Sequence, residues 1–328
     1  MGPMDSAELL KARELLRNGD VVAIPTETVY GLAASIDSNS GLKKIFALKE
    51  RPYFDPLIVH VGSIKDAQLV TKDWPPVADF LARWFWPGPL TLVLPKADHI
   101  DPIITSGLDT VAVRFPSHPL ALEIIRLADS PLAAPSANKF GRTSPSKASH
   151  VRAEFPDVLV IDGGECEVGL ESTVIDFQIA KEKSIVRILR PGGVTKEMLS
   201  EALTRWSGPT EVVAAESSAS PGHVKHHYMP PIPLAIVDDD FDAGTVKKIA
   251  KDLALPLFQK VSELSLPTDA VQAARLIYSE MRRLAEQGAD LLVVRKTKER
   301  EGGLWTAIWD RLSRAASWDS DNGNRLGD

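Results

Sequence analysis

Cysteine is nearly absent from this chain. Cys166 stands alone, which excludes an internal disulfide and a cysteine-rich metal site and suits a reducing compartment. No apolar run is long enough to span a bilayer, and residues 1–20 are charged, with no apolar signal core, so a cytoplasmic location is expected. A surplus of base is missing too. With 38 Lys and Arg against 44 Asp and Glu, the net charge is −6, so any anion site must be a local concentration of cations. No GxxxxGK[ST] loop, GxGxxG fingerprint, HExxH helix or CxxC pair occurs, which removes the commonest phosphate, dinucleotide and zinc devices.

What is present is a globular α/β pattern. A chain of 328 residues, 44% hydrophobic, suffices for one large domain or two ordinary ones. Runs rich in Val, Ile and Leu predict strands over 21–25, 56–61, 90–95, 110–115, 158–162, 172–177 and 185–190. Helical patterns lie at 41–49, 75–85 and 117–128. Some connections are too short for a helical crossover, so the sheet is expected to be mixed. Residues 206–232 are rich in Ser, Gly and Pro and read as a linker. A second α/β unit follows, with strands in "PLAIVDDD" and "ADLLVVRK" and an amphipathic helix over 268–287 that presents Ala273, Leu276, Ile277, Met281 and Leu284. A final helix is expected over 304–316. The expected organisation is a domain over 1–205, a linker over 206–232, a smaller domain over 233–318 and a disordered tail over 319–328.

Polar and cationic residues recur at the strand ends of the first domain. Thr26 and Thr28 follow the first strand, Lys49 and Arg51 precede the second, and His60 lies within it. Arg114 ends "TVAVRF", Ser136 and Asn138 sit in "APSANKFGRTSPS", Ser172 opens "STVIDF", and Arg187 and Arg190 lie on "IVRILRPGG". Each cation alone reads as a solvated strand end. Together, on loops sharing one edge of an open sheet, they would form an anion pocket. As cleft charges they are expected to contribute little to folding.

The order of these stretches resembles a known family. "IPTETVYGLA", "KERPYFDPLIVHV", "WPGPLTLVLP", "VAVRFPSHPLA", "PLAAPSANKFGRTSPS", "GLESTVID" and "ILRPGGVT" are similar to the successive motifs of YrdC-domain L-threonylcarbamoyladenylate synthases, over residues 8–200. Lys49-x-Arg51 and Ser136-x-Asn138 match that family's KxR and SxN signature. "SPGHVKHHYMPP" resembles the linker of its long, two-domain form, although the Met and Arg that usually precede the His-Tyr of that linker are absent. "GGLWTAIWDRLSRAAS" resembles the close of the smaller C-terminal domain. The resemblance implies an α/β fold: a YrdC-like twisted mixed sheet with a concave cleft, plus a smaller Rossmann-like α/β domain.

It also implies a reaction. L-threonine, bicarbonate and ATP give threonylcarbamoyl-AMP and pyrophosphate, and the product passes to a transferase that modifies tRNA, so tRNA is met only indirectly. Threonine's amine becomes a carbamate that attacks the α-phosphate, so no enzyme nucleophile is needed and preorganised cations matter most. By motif position, Lys49 and Arg51 would be catalytic. Thr28, His60, Arg114, Ala134 and Ser172 would bind threonine. Arg51, Asp55, Thr110, Ser136, Asn138, Ser144, Arg187 or Arg190, and Tyr228 would contact the nucleotide. Mg2+ would accompany ATP.

His223, His226 and His227 have metal-like spacing but no Asp or Cys support, so no metal ligand is expected from protein side chains. A linker folding over the nucleotide, as in the long form, would exclude water from a labile anhydride. Two rivals remain on sequence grounds. One is a double-stranded RNA or tRNA-binding module that uses the same cations for phosphates. The other is the carbamoyl-transfer part of a hydrogenase-maturation protein, whose zinc fingers a lone cysteine cannot supply.

Overall fold

The computed structural model describes residues 6–180, 183–215, 227–297 and 300–325. They form two compact units, Met1–Phe140 with Pro145–His223, and Gly141–Ser144 with Val224–Asp328.

The first unit is built on ten strands: β1 (Val22–Ile24), β2 (Gly31–Ser35), β3 (Ile58–His60), β4 (Leu90–Pro95), β5 (Thr110–Arg114), β6 (Leu132–Ala133), β7 (Leu159–Val160), β8 (Thr173–Gln178), β9 (Ser184–Arg190) and β10 (Thr210–Ala214). Their order across the sheet is β10-β9-β8-β4-β5-β3-β6-β2-β1-β7. Five pairings are antiparallel and four parallel, so the sheet is mixed, as the short connections implied.

Alternation along β1 shows how the sheet is covered. Val22 and Ile24 pack with the helices Ser6–Arg17 and Pro119–Ala128, whereas Val21 and Ala23 face Ile45 of the helix Asn39–Lys49 and Val151 of Ala148–Glu154. Both faces are thus buried, and the period-2 signal is lost from composition. A separate core joins β3, β4 and β5 to Ala67, Val70, Leu81 and Leu199.

The linker expectation over 206–232 is corrected by β10, which pairs in parallel with β9 from Thr210↔Ser184 to Ala214↔Ile188. Flanking Gly and Pro hid a short strand whose Val212 reaches the core. Of that stretch, 216–226 lie outside the described residues, and with them His223, His226 and most of the expected lid.

The second unit carries β11 (Leu234–Val237), β12 (Val261–Glu263), β13 (Leu291–Arg295), β14 (Trp318–Asp319) and β15 (Gly323–Asn324), in the order β12-β13-β11-β14-β15. Helices Ala243–Asp252, Ala270–Glu286 and Gly303–Ala315 connect β11 to β12, β12 to β13 and β13 to β14. In Ala270–Glu286, Ala273, Ile277, Met281 and Leu284 are buried as the pattern predicts. Leu276 is not, at 37% exposed. The disordered tail over 319–328 is also corrected, as far as Arg325. β14 pairs in parallel with β11 and antiparallel with β15, and the buried Trp318 indole donates to Asp252. Gly323, at φ +70°, supplies the left-handed residue beside the tight reversal. Residues 326–328 lie outside the described set.

Candidate functional site

The KxR stretch begins at a helix end. Ser38 caps Asn39–Lys49 by accepting from the Gly41 amide. Glu50 closes it in the left-handed conformation, and its own amide donates to the helix carbonyls. Lys49 is therefore the last helical residue, and Arg51 starts the return toward β3.

Neither is a solvated charge. Lys49 is 1% exposed and Arg51 8%, which corrects the reading of them as open cleft cations. The Lys49 ammonium donates to the Ser136 carbonyl at 2.6 Å and to that of Asn138. The KxR and SxN stretches thus meet through one side chain and two backbone carbonyls. Burial, and after it the Arg51 charge, holds the Lys49 pKa well below the usual lysine range. Arg51 donates from Nε to the Asp55 carbonyl at 3.0 Å and from Nη2 to the Pro56 carbonyl at 2.9 Å. Its Nη2 also pairs with the Asp55 carboxylate at 2.8 Å, and both side chains are buried. Asn138, 1% exposed, donates from Nδ2 to the Lys139 carbonyl, while Ser136 is half-buried and bridges Gly31.

A second group surrounds Arg114. Its Nη1 donates to Thr28 Oγ1 at 2.9 Å, its Nε to the Gly88 carbonyl, and its Nη2 pairs with Glu27 at 2.7 Å. His60 lies opposite Arg114 in the parallel β3–β5 register, and its Nδ1 is 3.1 Å from the Ile58 carbonyl. Burial and then the Arg114 charge push the His60 pKa down to about 3. Ser172 meets Thr91 Oγ1 at 2.7 Å and accepts from Arg190, which also donates twice to its carbonyl. Gly192 makes this approach feasible, because a Cβ there would lie 2.5 Å or less from the backbone of 171–173. Ala134 is buried beside Gly31, and its amide donates to the Ile58 carbonyl.

These residues do not leave one edge of the sheet. Because strand directions are mixed, His60, Arg114, Ser172 and Arg190 stand at one edge. Thr28, Ala134, Ser136 and Thr110 leave from the other. β3 is three residues long, so its ends are only about 7 Å apart. The Arg114 side chain joins the two sets through Thr28.

Arg190, not Arg187, stands with Ser172. Arg187 is exposed and forms a fork with Asp176, whose hydrogen bonds push the guanidinium pKa up. Ser144 and Tyr228 belong to the second unit. There Met229 pairs with the backbone of Gly141 and Thr143, and Arg282 donates to the Thr143 carbonyl. Tyr228 is buried at φ +67°, stacked on Tyr278, with the Arg311 guanidinium 4.9 Å from its ring.

Sequence reasoning passed over Glu27, Thr91 and the role of Thr26. The signal available for Glu27 was a carboxylate inside "PTETVYG", between two apolar strands. Cys166 is an inert core residue, its thiol pushed up to about 12 by burial.

The His60 shift has a consequence for folding. Between pH 6.5 and about 3 the unfolded chain takes up a proton at this position that the folded chain does not. Its contribution to stability is full above pH 6.5 and declines as pH falls toward 3. Melting curves from pH 7 to 4 are expected to fall more shallowly for His60→Asn than for the unaltered chain; parallel curves would contradict the buried neutral imidazole.

With the geometry established, comparisons place the chain among known proteins. The family model described as "Telomere recombination", that of Sua5, YciO and YrdC proteins, matches residues 14–192. The chain belongs to the Sua5/YciO/YrdC family. A further model, the threonylcarbamoyl-AMP synthase C-terminal domain, matches residues 194–317. The threonylcarbamoyl-AMP synthase of Pyrococcus abyssi is 36% identical over 325 residues, covering 94% of this chain and 93% of that protein. That of Bacillus subtilis is 44% identical over 239 residues, covering 70% and 67%. Among solved structures, P. abyssi Sua5 complexed with L-threonine superposes with a TM-score of 0.81 at 34% identity, covering 95% of both chains. This long-form Sua5 architecture, the YrdC-like domain followed by the Sua5 C-terminal domain, is the one the motif order implied.

Proposed function

We propose that the chain is a threonylcarbamoyl-AMP synthase, making threonylcarbamoyl-AMP and pyrophosphate from L-threonine, bicarbonate and ATP for threonylcarbamoyladenosine modification of tRNA. The observation that carries this reading is the contact of Lys49 with both carbonyls of the Ser136-x-Asn138 stretch, in a chain that matches both Sua5 domains. The P. abyssi relative solved with L-threonine supports threonine as a substrate.

The chemistry needs little covalent help from the protein. Bicarbonate takes up a proton and loses water to give carbon dioxide, and threonine's amine adds to its carbon and releases a proton to give a carbamate. A carbamate oxygen then attacks the α-phosphorus while the bond to the bridging oxygen of the β-phosphate breaks, and pyrophosphate departs. Lys49 holds the backbone that carries Ser136 and Asn138 and lends that loop positive potential. Arg51, fixed by Asp55, supplies a preorganised guanidinium. Thr28, His60 and Ser172 orient threonine.

Mg2+ is proposed as the companion of ATP, shielding charge on the phosphates. The carboxylates at the site, Asp55 and Glu27, are paired with Arg51 and Arg114, so a bound ion would draw its ligands from the ATP phosphates and water rather than from these side chains. Among the described residues no helix is long and apolar enough to cross a membrane, and a cytoplasmic enzyme handing its product to a tRNA-modifying transferase is proposed. An RNA-binding module would need exposed cations, whereas Lys49, Arg51, Arg114 and Arg190 are buried.

Incubation with ATP, L-threonine and 13C-bicarbonate is expected to yield an adenylate carrying the label in its carbamate, detected by mass. ATP turnover without labelled adenylate would refute the reading.

A further inference from the structure

We propose that Thr26 and Glu27 are positioning residues that fix the direction of the Thr28 hydroxyl, so that Thr28 and His60 offer the substrate hydrogen-bond acceptors rather than donors. The inference rests on the placement of threonine at Thr28 and His60 and names what selects it there.

The hydrogen-bond accounting decides the direction. Thr26 Oγ1 lies 2.6 Å from the Val29 carbonyl, which can only accept, so the single hydroxyl proton of Thr26 is spent there. Toward every other neighbour Thr26 Oγ1 must then accept, its two lone pairs shared between the close Thr28 hydroxyl and the longer, bifurcated approach of the Thr28 and Val29 amides at 3.2 Å. Its contact with Thr28 Oγ1 at 2.8 Å therefore requires the proton of Thr28. Arg114 Nη1 donates to Thr28 Oγ1, occupying one lone pair and leaving the other to accept.

Glu27 holds this arrangement from behind. Its carboxylate pairs with Arg114 Nη2 at 2.7 Å, and the two side chains are 3% and 4% exposed. With Gly88 taking Nε, the guanidinium is pinned in the orientation that aims Nη1 at Thr28. His60 repeats the logic, because its Nδ1 faces the Ile58 carbonyl and must carry the proton, so Nε2 presents a lone pair.

Two acceptors suit an amino acid that brings an ammonium and a side-chain hydroxyl. A site built to bond a hydroxyl rejects an analogue that lacks it, because its own polar groups are then left buried and unmatched. The chemical class selected is a β-hydroxy amino acid, and valine, the isostere without the hydroxyl, is excluded.

Calorimetric titration of the full chain with L-threonine, L-valine and ATP tests this in Thr26→Val, Thr26→Ser and Glu27→Gln. Thr26→Val is expected to weaken threonine about 30-fold, the range of one lost buried hydrogen bond, and Glu27→Gln about 10-fold, through loss of the buried ion pair that orients Arg114. ATP affinity should stay within about twofold, valine should remain unbound, and Thr26→Ser, which restores the hydroxyl, should bind threonine almost normally. Threonine affinity unchanged in both Thr26→Val and Glu27→Gln, or lost in step with ATP, would overturn the proposal. If Thr26→Val does not fold, Glu27→Gln and Thr26→Ser decide by the same criteria. An unaltered chain that binds no threonine would overturn the functional reading itself, before any variant is made.

Discussion

Lys49→Ala is expected to lose turnover and stability together. In the folded chain the ammonium answers the carbonyls of Ser136 and Asn138; its removal takes the lysine donor from both and opens a void beneath their loop, and the Ser136 carbonyl keeps only the Asn138 amide at 3.0 Å. An unmatched buried carbonyl costs about 1–3 kcal/mol. The desolvation that pushes the Lys49 pKa down shows that the lysine is itself held at a cost, and that cost is recovered on truncation. A net loss of about 2 kcal/mol follows, or roughly 4–8 °C in melting temperature for a unit of this size. Turnover is expected to fall on the order of a hundredfold, because the loop that carries Ser136 and Asn138 loses both its anchor and its cation. Lys49→Met separates the two effects. It restores volume without charge, so its melting temperature should exceed that of the alanine variant while turnover stays low. Recovery of turnover in the methionine variant would show that packing alone was needed.

Arg51→Ala is expected to cost more. The guanidinium matches the Asp55 carboxylate and the carbonyls of Asp55 and Pro56 in a site where both side chains are buried. Removing one member of a buried pair typically costs about 3–5 kcal/mol, because the charge that faced it loses that match. Arg51→Ala combined with Asp55→Ala should therefore be more stable than Arg51→Ala alone, since the buried carboxylate that faced Arg51 is gone with it. Turnover should remain depressed about a hundredfold or more in both, because the missing cation is not replaced. Thermal melts and pyrophosphate release on the two proteins check this together. A double variant no more stable than the single would show that Asp55 is not the partner that matters.

These expectations differ from those drawn from the sequence because burial was not legible there. Lys49 and Arg51 sit in a charged stretch, KERPYFD, that composition assigns to solvent, whereas the helix end and the left-handed Glu50 turn it inward. The strands that β-branched runs announced, such as "TLVLP" and "TVAVR", are present within a residue or two. β2 was not foreseen, because "GLAAS" favours a helix by propensity. Its five residues are buried between β1 and β6, and tertiary packing overrides that preference. The site residues were legible by type and not by wiring. Arg114 and His60 could be picked out as polar groups at strand ends, but the mixed strand directions that set them at the far edge from Thr28 are a property of the whole sheet. The signal at Glu27 was weak. A carboxylate in a loop reads as solvated until Arg114, far along the chain, is seen to meet it.

ATP is expected to be cleaved here only when a threonine carbamate can form. Pyrophosphate release from ATP by the purified chain, followed with L-threonine and bicarbonate each omitted in turn and valine substituted for threonine, tests that claim most directly. Release that requires both substrates and disappears with valine is the predicted result. Equal release without threonine would contradict the account and make the chain a general ATPase.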